Sequence, residues 1–478
     1  MVPEQQPRPL AQAVLALAVQ ASASADPALA HAANRAVERL RRPLCVAVVG
    51  RVSSGKSTLV NALLGTAVSQ TSGRECTKVV YVFRHARFDS AVARSRDGSG
   101  DEPVMFEGSR LSPELPLPAD RIKCVDVTLT ARLLERVVLV DTPGMASTNE
   151  ETSEITLRML EDTGDAAAEA DALLFCLNSS VKGDEAAAVD RFRASRGGTR
   201  LSGATAVALL TKPEGQVPDR REVWKAATKT ARTMSAENAE LFSAVLPVVG
   251  LLAETATTGA LRERHARALS ALARAWNPDQ AEIALKDKRM FVGGPGPVGA
   301  GERTELVTLL GLFGIGELLD ALRAGVPANA AALTRVALAQ SGFDEVQGRL
   351  AQLLGNNADV LKAAAALEVL TDRAEAVRDR TVYSRAQELL DRPEMFPLRM
   401  QEMARQLARG WVKPPTGLAD EAWLAVTAGL PPTAVKTASQ RAAAWREWAA
   451  LTDTAGQHLA RTMVRAWQLA ATGGRRTR

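Results

Sequence analysis

The run Gly50-Arg51-Val52-Ser53-Ser54-Gly55-Lys56-Ser57 has glycine, lysine and hydroxyl at the spacing G-x-x-x-x-G-K-[ST]. Glycines at Gly50 and Gly55 let consecutive backbone N–H groups curl around phosphate oxygens. Lys56 then reaches the β and γ oxygens, and the Ser57 hydroxyl ligates Mg²⁺ at a helix start, where the dipole favours anions. Arg51, Ser53, Ser54 and Thr58 lie in the same contact zone. Such a loop works only between a strand and a helix. The apolar run Leu44-Cys45-Val46-Ala47-Val48-Val49 reads as a buried strand, and Ser57 to Leu64 reads as a helix with Leu59, Leu63 and Leu64 on one side, closed by Gly65.

Three further elements follow in order. Asp141-Thr142-Pro143-Gly144 closes the apolar strand Val137-Val138-Leu139-Val140, where Asp141 is placed to hold Mg²⁺ through water and the Gly144 N–H to meet a γ-phosphate. Thr77 leads into the strand Val79-Val80-Tyr81-Val82-Phe83, and its hydroxyl and carbonyl are placed to complete the magnesium shell. The alternative reading of Thr77 is a threonine that opens a strand. Thr211-Lys212-Pro213-Glu214 follows Ala206-Val207-Ala208-Leu209-Leu210 where guanine readers carry [NT]-K-x-D. The lysine stem would lie along the base and the acid would accept from the ring N–H and the exocyclic amine. Glutamate stands in the acid position here, with a methylene more than aspartate. The strand Leu246-Pro247-Val248-Val249-Gly250 is in place to set the backbone of Gly250 against the base edge.

These residues resemble the bacterial dynamin-like GTPases, in particular the actinobacterial isoniazid-inducible branch. The resemblance rests on Gly50 to Gly65, Glu75-Cys76-Thr77-Lys78, Asp141-Thr142-Pro143-Gly144 and Val248 to Ala253, and more faintly on Leu312-Phe313-Gly314-Ile315 and Met395 to Met400. It implies an α/β P-loop GTPase domain with a mixed, mostly parallel sheet, plus an all-α helical neck and stalk. It also implies hydrolysis of GTP to GDP and phosphate with Mg²⁺, and self-assembly as a homo-oligomer or with a dynamin-like paralogue. Membrane remodelling by peripheral contact with anionic lipid, on the inner face of the cell membrane, is implied by the resemblance alone. Within the family the serine at the position of Ser53 helps hold a charge-compensating cation, so Ser53, Lys56 and Thr77 are the expected catalytic set. Two residues depart from the pattern: Glu214, where aspartate is usual, and Val52, where eukaryotic members carry a polar residue that positions water. A signalling or assembly GTPase acting through a protein partner, or a nucleotide-locked scaffold, is the competing reading.

Composition suits a soluble machine of several domains: 478 residues, 46% hydrophobic and 24% charged, can bury a large core. A net charge of +5 permits an anionic surface without arguing for nucleic acid, and no basic-aromatic interleaving marks a single-strand binding surface. Cys45, Cys76, Cys124 and Cys176 form no C-x-x-C pair, and the four histidines are scattered, so neither a zinc site nor a nucleophilic triad is expected.

The segment from Leu10 to Ala25 imitates a secretory leader, but Glu4, Gln12 and Gln20 oppose that reading, and a nucleotide switch needs cytosolic GTP. Leu10, Val14, Leu17 and Ala21 instead share a helical face that Val37 and Leu40 continue after Pro27. No stretch of about twenty apolar residues is present, so membrane contact should be peripheral. The expected division is 1–42 for N-terminal neck helices, 43–300 for the GTPase domain and 301–478 for a helical neck and stalk. The Gly/Pro-rich Gly293 to Pro297 marks the second boundary. The N-terminal, post-GTPase and terminal helices should bundle as one neck. In the tail, Asp359 to Leu390 reads as one long helix, and Trp448, Leu451, Ala455, Leu459, Met463 and Ala466 read as one packed stripe. Trp411-Val412-Lys413-Pro414-Pro415 or Met395-Phe396-Pro397 is the expected place for a membrane-contacting tip, against an ordinary stalk turn.

Overall fold

The computed structural model describes residues 9–69, 79–143, 170–178, 206–238, 241–354, 358–408, 410, 412–427, 430–431 and 433–473. Nine strands form one mixed sheet: β1 Leu44–Gly50, β2 Tyr81–His85, β3 Ser90–Ser95, β4 Glu102–Pro103, β7 Ile122–Leu129, β8 Val137–Asp141, β9 Ala172–Leu177, β10 Ala206–Thr211 and β11 Ala244–Val248. A short hairpin, β5 Phe106–Glu107 and β6 Arg110–Leu111, stands apart from it. The sheet order is β11-β10-β9-β1-β8-β2-β7-β3-β4. From β11 to β8 every pairing is parallel, and these strands are almost wholly buried. That burial explains their unbroken apolar sequences. β2 turns the sheet antiparallel against β8, and β3 does so against β7.

Two N-terminal helices, α1 Pro9–Ser22 and α2 Pro27–Arg41, form a hairpin. Asp26 caps α2 by accepting from the N–H groups of Ala28 and Leu29, so the small-residue stretch after Val19 is a helix end and a turn. α3 Lys56–Leu64 and α4 Val223–Glu237 pack on the sheet, α5 Gly250–Thr257 packs on α3, and α6 Glu263–Ala275 precedes two short helices, α7 Pro278–Ala284 and α8 Lys288–Gly293. Next come α9 Ala300–Arg323, kinked where Gly311 adopts φ +64°, and α10 Ala330–Ala339. Phe291, Val298, Leu306, Phe313 and Leu333 share one buried cluster with Val249, Leu252 and Leu269. The expected boundary at residue 300 therefore falls inside continuous packing, which runs on to Ala337. Glycine and proline set the local turn at Gly293 to Pro297, but burial decides where a unit ends.

Ser341 accepts from the Phe343 N–H at the start of α11 Phe343–Leu354. The expected long helix is two, α12 Ala358–Ala376 and α13 Arg380–Leu390. Arg378 takes a left-handed φ of +59°, and Asp379 accepts from the N–H groups of Thr381 and Val382, so the chain reverses there. α12 packs on both α1 and α2, and its Leu361, Leu367 and Leu370 share a core with Leu10, Val14 and Leu29. At its base, Arg39 of α2 donates to the buried carboxylate of Asp171 at 2.8 Å, and Lys362 of α12 donates to the carbonyls of Leu40 and Arg42. The Cys45 N–H donates to the other oxygen of Asp171. These bonds fix the helices to the N-terminal ends of β1 and β9.

The terminal helix does not join that bundle's core. α14 Phe396–Ala408, α15 Thr416–Thr427, α16 Val435–Ala449 and α17 Thr454–Gly473 bury Met403, Ala422, Trp445, Met463 and Trp467 in a separate cluster. Trp445 is fully buried and meets Trp448 edge-on at 5.6 Å. Glu421 accepts from the indole N–H groups of both Trp445 and Trp467 and pairs with Arg441, which explains a carboxylate among tryptophans. The expected stripe breaks at Leu451, which is 86% exposed in the turn between α16 and α17. Of the expected Met395-Phe396-Pro397 tip, Met395 is fully buried and Phe396 half-buried, so Met395 packs inside the protein. Trp411 lies outside the described residues. No described helix is long and apolar enough to cross a membrane.

Candidate functional site

β1 ends at Gly50, whose φ of +153° is a conformation that L side chains rarely adopt. A Cβ there would lie 2.5 Å from the carbonyl oxygen of Cys176 on β9, so the loop must begin with glycine. Gly55 takes φ +88° at the head of α3, and Ser53 is held at φ +62°, a strained value for a side chain other than glycine. Three positive φ values within six residues give the loop the tightly turned backbone that a phosphate cradle uses.

Inside the loop, Lys56 is only 7% exposed, and its ammonium donates to the carbonyls of Gly50 and Arg51 at 3.0 Å each. At the next residue, the Ser57 hydroxyl lies 3.4 Å from Oδ2 of Asp141 at the end of β8. Asp141 is 1% exposed, and its Oδ1 has no hydrogen-bond partner. Burial raises its pKa to about 6, against the opposing pull of Lys56 and the Ser57 hydrogen bond. A buried carboxylate oxygen left unpaired beside a serine hydroxyl fits a hard cation that brings its own waters. Among the described residues no cluster of three or more His, Cys, Asp or Glu could hold a metal. A Mg²⁺ site here must therefore rely on Ser57, Asp141 and ligand oxygens, as magnesium commonly does. Tyr81 is paired with Asp141 across β2 and β8, and its phenol is pushed up to about 12 by burial and by the Asp141 charge. Thr77 and Gly144, expected at this end of the site, lie outside the described residues.

The base-reading candidates form the opposite wall. Thr211 ends β10, and its hydroxyl lies within hydrogen-bond distance of the Ser54 carbonyl, the Leu177 carbonyl and Oδ1 of Asn178. Lys212, in a left-handed turn at φ +52°, donates to the Ser53 carbonyl at 2.8 Å. Together they tie the strand end to the phosphate loop. Glu214 is half-buried, its Oε2 has no hydrogen-bond partner, and burial raises its pKa. Gly250 opens α5, and a Cβ there would touch the Thr58 methyl at 3.4 Å.

Sequence reasoning missed four participants, Asn178 and the set Asn61, Ser69 and Glu254. Asn178 supports both Thr211 and the side chain of Gln216. Asn61 of α3 donates to Glu254 of α5 and to the Ser69 carbonyl, and accepts from the Ser69 N–H. This buried triad joins the helix behind the phosphate loop to α5 behind Gly250. Only an asparagine mid-helix, facing a glutamate 193 positions away, carried the signal. Cys45 and Cys176 are buried free thiols, and burial pushes Cys176 up to about 12, so neither is poised for reaction.

The Dynamin family pattern matches residues 46–188. The isoniazid-induced protein IniC of Mycobacterium tuberculosis, in two strains, is 31% identical over 340 residues, which cover 70% of this chain and 67% of that protein. A solved bacterial dynamin pair, described as an oligomer that senses and tethers membranes over long range, aligns over 98% of this chain and 75% of that one. It does so at 12% identity and a TM-score of 0.36.

Proposed function

Because the chain belongs to the dynamin family, in the isoniazid-induced branch of bacterial dynamin-like GTPases, we propose that it hydrolyses GTP to GDP and phosphate with Mg²⁺. The observation that carries this reading is Asp141, a buried carboxylate with one unpaired oxygen and the other beside the Ser57 hydroxyl, within reach of the Lys56 charge. Mg²⁺ supplies charge neutralisation and orientation of the phosphates. Ser57 and Asp141 would hold it, Asp141 through water, with Thr77 as the third group. Gly50, Arg51, Ser53, Ser54, Gly55 and Thr58 present loop donors to the phosphates. Lys56 exchanges its two carbonyl partners for phosphate oxygens. Ser53 assists charge compensation, and the Gly144 N–H meets the γ-phosphate.

Lys212, Glu214 and Gly250 would read the base, with Thr211 holding their strand against the loop. A half-buried carboxylate with an unpaired oxygen can accept the two N–H donors of guanine, one on each oxygen, whereas adenine offers no such donor pair in that arrangement. GTP should therefore outcompete ATP by roughly 1 to 3 kcal/mol, and Glu214→Ala should close most of that gap in a competition titration. Equal affinities in the unsubstituted protein would remove Glu214 from base recognition.

Val52 projects from the loop 36% exposed and offers no side-chain hydrogen bond to a water. An isolated GTPase domain should then turn over slowly, with Thr77 and its neighbours becoming competent when two domains face each other. The chain would act as a homo-oligomer or with a paralogue, peripherally on the inner face of the cell membrane. Movement at the GTPase domain would reach the helical neck through Asp171 and Lys362. Measured as phosphate release, specific activity should rise several-fold between dilute and micromolar protein, and rise further on anionic vesicles. A flat curve in both series would favour the competing reading, a GTPase that signals or scaffolds through a protein partner.

A further inference from the structure

The junction between α13, α14 and the distal helices holds a half-open cavity of about 300 Å³, far from the phosphate loop in sequence. Four guanidinium groups line it, those of Arg399, Arg446, Arg461 and Arg465, against the single carboxylate of Asp391. Arg399 is committed: it pairs with Asp391 and donates to the Thr462 hydroxyl. The other three have no acidic partner among the described residues. Arg461 reaches only the amide oxygen of Gln387 at 3.5 Å, and Arg465 that of Gln468 at 3.2 Å. Arg465 Nε is buried with no hydrogen-bond partner, and the exposed Arg446 guanidinium has no acidic or hydrogen-bonding partner among the described residues.

Arginines four apart on one helix, as Arg461 and Arg465 are on α17, repel each other, and a third from α16 adds to that repulsion. Arg446 is exposed and Arg461 and Arg465 are half-buried, yet all three guanidinium groups line one half-open cavity whose other wall includes the buried Trp445. Guanidinium forks match phosphate oxygens in pairs, and several uncompensated forks around a small cavity suit an anion with more than one charge. We propose that this cavity binds a phosphate group carrying at least two negative charges, either a membrane-lipid headgroup or a small soluble phosphate. Arg446, Arg461 and Arg465 supply the donors, and Arg399 with Asp391 fixes the wall. The volume suits a pyrophosphate-sized group better than a whole nucleotide. The proposal is independent of GTP hydrolysis.

The test uses the full chain in a Lys56→Ala background, with excess GDP present to occupy the phosphate loop equally in every variant. Pyrophosphate binding is measured by calorimetry, and co-sedimentation with vesicles of phosphatidylcholine alone or with phosphatidic acid is measured in parallel. Arg446→Ala removes an exposed side chain with no partner, so the fold stays intact, and Arg461→Ala removes a second donor. Each substitution should weaken the bound probe about tenfold, the worth of one charge-assisted hydrogen bond to phosphate. Loss on phosphatidic acid vesicles identifies a lipid headgroup, and loss with pyrophosphate alone identifies a soluble phosphate. If neither substitution changes the binding of either probe, the proposal fails.

Discussion

Asp141→Asn should make the protein free of nucleotide more stable at pH 7 and, at the same time, abolish magnesium-dependent phosphate release. The stability half follows from burial. Asp141 takes its proton at about 6 in the folded chain, against 3.8 for an unperturbed group, so the native state binds that proton more tightly than the unfolded state does. The stabilising effect of the proton is fully present below the unfolded value. It fades as pH rises through the window from about 4 to 6, and it is absent at neutral pH. Holding an ionised carboxylate there then costs on the order of 3 kcal/mol at about 1.4 kcal/mol per pH unit. Asparagine is neutral at every pH, so a thermal melt should show the substituted protein several degrees above the parent at pH 7 and level with it near pH 4.

The activity half has the opposite sign, because the charge that burdens the fold is the one a divalent cation needs. Below pH 6 proton and cation should compete for Asp141, and the magnesium concentration that gives half-maximal turnover should climb about tenfold per pH unit. A residue placed only for packing would lose stability on this substitution. If the melt falls at pH 7, or if turnover survives, Asp141 is not the metal-facing group.

The phosphate loop was legible in the sequence because its requirements are local. Gly50 must be glycine to clear the Cys176 carbonyl, and Gly55 must be left-handed, so the fold's needs are written within eight residues. The buried parallel strands were legible for the same reason, since each is a short apolar run with no solvent face. What could not be read depends on distance. The bond from Lys212 to Ser53 spans 159 positions and that from Asn61 to Glu254 spans 193, and neither residue type announces its partner. The break between α12 and α13 rests on one left-handed arginine and one aspartate cap, both weak local signals inside a helical composition. Leu451 kept the helical period while sitting in a turn, because periodicity continues by chance across a gap of four residues. The antiparallel insertion of β2 beside β8 left no mark at all, since strand direction is a property of connections and not of residues.

Lys56→Ala should reduce GTP turnover at least about 10²–10³-fold, the usual effect of deleting one charged or hydrogen-bonding group aimed at the transition state. The structure makes the expected side effects small. The ammonium donates to the carbonyls of Gly50 and Arg51, and removing it forfeits two hydrogen bonds at about 1 kcal/mol each, partly recovered by water at the open face of the loop. Gly50 and Gly55 keep their backbone angles, and Thr211 and Lys212 still tie the loop to β10 through the Ser54 and Ser53 carbonyls. The loop should therefore persist with its N–H donors in place, so GDP binding should weaken less than triphosphate binding does. Ser57→Asn offers an independent cut. It removes the hydroxyl beside Asp141, which should raise the magnesium requirement while leaving the lysine's phosphate contacts intact. Phosphate release, with GDP and a non-hydrolysable GTP analogue titrated against both proteins, separates the two. Turnover at the parent's rate in Lys56→Ala would end the nucleotide-hydrolysis reading, whatever the family resemblance.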